Sequence, residues 1–181
     1  LNILHFPDPP YSFIILSFYR KTFFSIKKFS RHLPIIIISR PDRKCFTYNL
    51  LMKASLIITT YNWPEALDLV LESLECQSQK PHEVLIADDG SSAETRTLIE
   101  KFQARSAVTI KHLWHEDRGF RRTVILNKAL AQAEGDYIIQ LDGDCIMHRR
   151  FVEDHMHFAR EGNFLFGSRV NIKQTFLPEL F

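Results

Sequence analysis

The chain has 181 residues, 45% of them hydrophobic and 24% charged, with a net charge of +2 and three cysteines. That length suffices for one domain with a sizeable core. The composition excludes a disordered, collagenous or disulfide-stapled protein, and Cys45, Cys76 and Cys145 lack metal or disulfide spacing and fit free thiols in a reducing compartment.

The charge is unevenly spread. Residues 1–53 carry nine Lys/Arg and two Asp/Glu, which leaves 14 basic and 19 acidic residues in the remainder. Leu1 to Leu51 alternates short apolar runs with basic residues and prolines and holds seven of the 15 phenylalanines. Its longest apolar runs, Tyr11 to Tyr19 and Leu33 to Ser39, fall far short of the ~20 residues that a membrane span needs. Basic and apolar residues together suit a membrane-surface anchor, but no clean helical period supports one. The ordered regions of a cleavable signal peptide are also missing. Composition changes sharply at Met52-Lys53, so residues 1–51 are expected to be an extension outside the domain, disordered or not natively translated.

From there the chain reads as alternating strands and helices. Ala54 to Thr60 is a β-branched apolar run, a strand buried on both faces. Asn62 and Glu65 have capping-box spacing, with Pro64 in the first turn. Ala66, Leu67, Val70, Leu71 and Leu74 then recur at helical spacing. Val84 to Ala87 is a second strand, closed by Asp88-Asp89-Gly90-Ser91-Ser92, and a helix with Leu98, Ile99 and Phe102 on one face follows. Val108 to Trp114 is a third strand, nearer a sheet edge. A polar loop, His115 to Arg122, precedes a helix carrying Ile125, Leu126, Ala129, Leu130 and Ala133, with Gly135 as its stop. Tyr137 to Leu141 is the fourth strand. A helix over about Arg150 to Arg160 and a fifth strand over Phe164 to Val170 complete the series.

This alternation demands parallel pairing and right-handed crossovers. The predicted fold is a three-layer α/β arrangement with a mostly parallel, Rossmann-like sheet in the order 3-2-1-4. The switch point then falls between strands one and four, and it gathers Tyr61-Asn62, Asp88-Asp89 and Asp142-Gly143-Asp144 around one crevice. Two carboxylates about 5 Å apart repel by roughly 3 kcal/mol at an effective dielectric of 20. A hard divalent cation, Mg²⁺ or Mn²⁺, removes that cost and would receive a diphosphate. A solvated Asp-Gly turn is the plainer alternative. Arg118, Arg121 and Arg122 sit at a helix start, which disfavours cations unless an anion joins them. His148, His155 and His157 read as surface or core histidines. Cys145 reads as a small buried residue behind the acidic turn, and Trp63 suits either packing or stacking.

Thr59-Thr60-Tyr61-Asn62, Asp88-Asp89-Gly90-Ser91-Ser92 and Asp142-Gly143-Asp144 resemble the three signatures of family 2 glycosyltransferases of GT-A fold. Asp117-Arg118-Gly119-Phe120-Arg121-Arg122, with Asn127, is similar to the subgroup containing the amino-terminal half of bacterial chondroitin polymerase. The resemblance covers about Ala54 to Ile172. It implies transfer of a hexose or N-acetylhexosamine from a UDP-sugar to a saccharide or glycolipid acceptor, with inversion, in surface polysaccharide synthesis. It implies that Thr60, Tyr61 and Asn62 line the nucleotide pocket, that Asp89 accepts from uracil while Asp88 orients the turn, and that Asp142 faces the ribose. Asp144, with Asp142 and Gly143 in the same loop, would hold Mn²⁺ or Mg²⁺, and the three arginines would face the diphosphate. The general base of such an enzyme is a carboxylate expected beyond Phe181, since Glu179 is the sole acidic residue after Gly162. Residues 52–181 are thus expected to be the nucleotide-sugar half of a longer enzyme, inactive alone or nearly so. The expected setting is cytoplasmic, at the inner membrane face if the basic extension associates peripherally, with no nucleic-acid partner.

Three rivals are weighed. A haloacid-dehalogenase-like phosphatase also ends a strand in Asp-x-Asp, but there the motif opens the domain. A nucleotide-sugar-binding fragment without turnover fits the missing base. An NAD-binding domain lacks its Gly-rich turn after the first strand.

Overall fold

The computed structural model describes residues 52–172, with side chains for 52–171, and the backbone of three short strands nearer the amino terminus. Those strands are β1 (Phe13–Ser17), β2 (Ser25–Ile26) and β3 (Ile36–Ile37). The rest of the predicted extension lies outside the described residues.

A parallel sheet forms the centre. It contains β4 (Ala54–Thr60), β5 (Glu83–Asp88), β6 (Thr109–Trp114) and β7 (Tyr137–Asp142), in the order β6-β5-β4-β7. This is the expected 3-2-1-4 order, with β6 at an edge. Every residue of β4 and of β5 is buried, because helices cover both sheet faces and successive side chains alternate between them. On one face Leu56, Ile58, Val84 and Ile86 share a core with helix α1 (Pro64–Glu75), helix α2 (Ala93–Arg105) and Phe151 and Val152 of helix α4 (Phe151–Phe158). On the other, Ile57, Leu85 and Ala87 pack on Ile125 and Ala129 of helix α3 (Arg122–Gln132). Each such fully buried Leu or Ile contributes about 1.5–3 kcal/mol.

Four local expectations are corrected. Helix α1 has Trp63, not Asn62, at its N-cap, and no side chain caps it. Asn62 adopts φ of 46°, and its side chain reaches the β5–α2 loop instead. Leu130 is exposed, because α3 meets the sheet through Ile125 and Ala129, with Leu126 and Ala133 beside them. Gly135 does not cap α3, which ends at Gln132. A Cβ there would lie 2.6 Å from the Ser55 nitrogen, so glycine lets the chain pass against β4. Finally, the strand after α4 is β9 (Ser168–Ile172), and it does not extend the parallel sheet. It pairs antiparallel to β1, which pairs parallel to a short strand missed in the sequence, β8 (Cys145–Met147). Apolar alternation marks a strand but carries no information on which sheet receives it. Among the described residues no helix is long and apolar enough to cross a membrane.

Candidate functional site

The carboxyl ends of β4, β5 and β7 lie side by side. Thr60 pairs with Asp88 and Thr59 with Asp142. The connections leaving these strands wall an open pocket of about 260 Å³. Thr60, Tyr61 and Trp63 come from β4 and its exit, Asp89 from the exit of β5, Phe120 from the β6–α3 loop and Arg122 from the start of α3. Asp142, Gly143 and Asp144 form the remaining wall.

Asp88 and Asp89 take different tasks. Asp88 is fully buried and does not line the pocket. One of its oxygens accepts from the Ser91 backbone nitrogen at 2.7 Å, and the other contacts His112 Nε2 at 2.9 Å. Burial opposes its charge, but the hydrogen bonds from His112 and Ser91 hold its carboxyl below the ordinary range. Asp89 faces the pocket. Its Oδ1 contacts His115 Nε2 at 2.7 Å, and its Oδ2 accepts from the Arg121 backbone nitrogen at 2.9 Å. The carboxylate therefore sits at the start of α3, where negative charge is favoured.

Asn62 ties two walls together. Its backbone nitrogen donates to Ser91 Oγ at 2.9 Å, and its Oδ1 accepts from the Ser92 nitrogen at 2.8 Å. Its side chain is absent from the pocket wall, so it shapes the site from outside. Tyr61 donates from its hydroxyl to Asp117 Oδ2 at 2.9 Å, across to the β6–α3 loop. Asp117 in turn accepts from the Gly119 nitrogen, and this bond together with the one from Tyr61 lowers its carboxyl pKa.

Arg122 is the one predicted arginine in the pocket wall. Its Nε and Nη2 donate to Thr59 Oγ1 at 3.2 and 3.0 Å, and Nη2 also pairs with Asp142 Oδ1. Arg118 is turned outward onto Glu116. Arg121 contributes its backbone to Asp89 but does not line the pocket. Arg169 of β9, unmarked in the sequence, lies 4.0 Å from Asp142 Oδ2.

Gly143 permits the turn between the two acids. Its nitrogen donates to the Thr59 carbonyl at 2.7 Å, and a Cβ would lie 2.6 Å from that oxygen. Asp142, Asp144 and Cys145 each offer a ligand atom within 4.8 Å of one another. Oxygen donors of Asp142 and Asp144 suit a hard divalent cation. Cys145 does not, because sulfur is a soft donor; burial first, and then the neighbouring Asp144, push its thiol pKa up to about 12. The acidic pair fits Mg²⁺ or Mn²⁺ with two protein carboxylates, the remaining positions being left to water or phosphate.

Thr59 and Phe120 stand inside the quoted motifs without a role of their own there, and sequence reasoning missed His112, His115 and Arg169. Two histidines at i and i+3 carry no signal without the sheet register that brings them to the site. A second depression of about 700 Å³ runs along β7, shares Arg122 and Asp142 with the first, and includes Phe164, Phe166 and Arg169.

Comparisons with known proteins agree with this geometry. The profile of "Glycosyl transferase family 2" matches residues 55–179. Chondroitin synthase of Pasteurella multocida is 31% identical over 110 residues, covering 60% of this chain and 11% of that protein. Protein CgeD of Bacillus subtilis is 33% identical over 113 residues, covering 58% and 26%. The chain thus spans well under half of each of these relatives. Among solved structures, that of Staphylococcus aureus TarS superposes with a TM-score of 0.51 at 29% identity, over 59% of this chain and 19% of that one.

Proposed function

The chain belongs to the family 2 glycosyl transferases, and on that premise we propose that it transfers a hexose or N-acetylhexosamine from a UDP-sugar to a saccharide acceptor, with inversion. The observation that carries this reading is the placement of Asp89, Arg122, Asp142 and Asp144 around one pocket at the sheet switch point. Its fold is the GT-A arrangement, a mostly parallel sheet in the order 3-2-1-4.

In this reading Asp89 accepts from the uracil ring, and Tyr61 and Trp63 flank the nucleoside. Arg122 gives fixed positive charge to the diphosphate, and Arg169 can approach the same place from β9. Asp144, with Asp142, would hold Mn²⁺ or Mg²⁺, which supplies charge neutralisation to a leaving diphosphate. The acceptor hydroxyl forms a bond to the anomeric carbon as the bond to UDP breaks, and its proton passes to a base. Asp89 is held by His115 and Arg121 and Asp142 by Arg122, and Asp144 is given to the metal, so we assign none of them as that base. The depression along β7 suits the acceptor, because Phe164 and Phe166 stack there with centroids 6.5 Å apart and aromatic faces receive sugar rings. We assign the product to a surface polysaccharide or related glycan, on the likeness to chondroitin synthase. We place the reaction in the cytoplasm or at the inner membrane face, since Cys76 and Cys145 are free thiols.

A nucleotide-sugar-binding role without turnover is the second reading, favoured by the engaged carboxylates. The experiment that separates them is UDP release from a panel of UDP-sugars, with and without saccharide acceptors and Mn²⁺. Acceptor-dependent release supports transfer. Binding with no release under any acceptor supports the second reading, and no binding of any UDP-sugar overturns both.

A further inference from the structure

We infer that His115 is a positioning residue that sets nucleobase selectivity by aiming Asp89, an inference that rests on the assignment of Asp89 to the base. The two side chains are 8% and 6% exposed, and His115 Nε2 lies 2.7 Å from Asp89 Oδ1. The second oxygen is fixed by the Arg121 nitrogen at 2.9 Å. A carboxylate offers about four acceptor positions, so two fixed donors orient its plane and leave the others toward the pocket. The other ring nitrogen, Nδ1, is buried and has no hydrogen-bond partner among the described residues. The imidazole therefore makes its polar contact through Nε2 alone. With a proton on Nε2 the ring donates to Asp89, while Nδ1 is kept from water.

His112 makes the parallel contact to Asp88, which faces away from the pocket. The neighbouring Asp-His pair thus holds the loop, while the His115 pair holds the acceptor that a base would meet. Uracil presents N3–H, a donor, whereas cytosine presents a lone pair at N3. A carboxylate held in one orientation gains a hydrogen bond from the first and repels the second. Without His115, Asp89 can rotate toward Arg121 alone, and the discrimination falls.

The test is calorimetry of the full 181-residue chain with UDP and with CDP, in the presence of Mn²⁺. The variants are Asp89→Asn, His115→Leu, His115→Asn and His115→Gln. Wild type is expected to prefer UDP, and Asp89→Asn to abolish the preference. His115→Leu and His115→Asn are expected to cut the UDP/CDP affinity ratio by about tenfold, mainly through UDP, since one charge-assisted hydrogen bond is at stake. In His115→Gln the amide nitrogen reaches nearly as far as Nε2, and the ratio should return to within about threefold of wild type. His115→Asn keeps a polar side chain of smaller size and decides the matter if His115→Leu does not fold. An unchanged ratio in His115→Asn, while Asp89→Asn collapses it, overturns the role of His115 alone. An unchanged ratio in Asp89→Asn overturns the base-reading role of Asp89 and this inference with it.

Discussion

Thr59 and Asp142 stand opposite each other in register on β4 and β7, and the Thr59 hydroxyl donates to Asp142 Oδ1 at 3.3 Å while it accepts from Arg122. One hydroxyl thus links a strand at the centre of the sheet to Asp142 and Arg122 of the pocket. Thr59→Val keeps the β-branched shape that the strand favours and removes only the oxygen. The loss should leave Arg122 held by Asp142 alone, with Nε lacking its acceptor. Hydrogen bonds to charged groups are worth about 1.5–3 kcal/mol, so UDP affinity with Mn²⁺ should fall roughly tenfold or more. Thermal stability should change little. Unchanged affinity, read by calorimetry, would show that Arg122 does not need this anchor.

Gly143 carries a packing prediction. A Cβ there would meet the Thr59 carbonyl at 2.6 Å and Thr60 Cβ at 3.2 Å. Both belong to the buried strand β4, which has no room to yield. Gly143→Ala should therefore cost about 1–3 kcal/mol in urea unfolding and weaken UDP binding, because the two flanking acids move. A variant with wild-type stability and affinity would show that the turn adapts.

His155 predicts the acid limb of stability. Burial pushes its pKa down to about 4, and its Nδ1 lies 2.9 Å from the Tyr137 hydroxyl. Burial likewise pushes Tyr137 up to about 12, so that hydroxyl stays protonated. The ordinary value for His155 is 6.5, so the unfolded chain takes up the proton first as pH falls. Its stabilising contribution is complete above pH 6.5 and is lost as pH falls toward 4. Between pH 7 and pH 5 the loss should be about 2 kcal/mol, and His155→Gln should flatten that part of the curve. An equal slope in the variant would place the acid sensitivity elsewhere.

The parallel sheet was legible because β4 and β5 are buried on both faces and so read as unbroken apolar runs. The acidic turns were legible because Asp and Gly end those runs abruptly. The second sheet was not, since Cys145-Ile146-Met147 is only three residues long and its partner β1 lies more than a hundred residues earlier. The arginines show the same limit. Arg118, Arg121 and Arg122 are equivalent in the sequence, yet only Arg122 lines the pocket, while Arg118 turns to Glu116. His115 had no periodicity to mark it, because its contact is to Asp89 at the exit of β5.

The first 51 residues remain a proposal as an extension outside the domain. The main core cluster holds residues from Ala54 to Met156 on the parallel sheet and its helices. Deleting residues 1–51 should leave the main thermal transition nearly unchanged. Hydrogen exchange should rise in β9, which loses β1. Loss of soluble protein on deletion would show that β1, between β8 and β9, is required for the fold.

The central claim is that the two carboxylates beyond β7 hold a divalent cation against a nucleoside diphosphate. It is tested most directly by calorimetric titration of UDP into the chain with Mn²⁺ and with EDTA, for wild type and Asp144→Asn. Wild type should bind UDP about tenfold or more tightly with Mn²⁺, because the cation relieves repulsion between like charges near the diphosphate. Asp144→Asn should bind UDP equally with and without the metal, at an unchanged thermal midpoint. Equal affinity of the wild type under both conditions, or full metal dependence retained in Asp144→Asn, would contradict it.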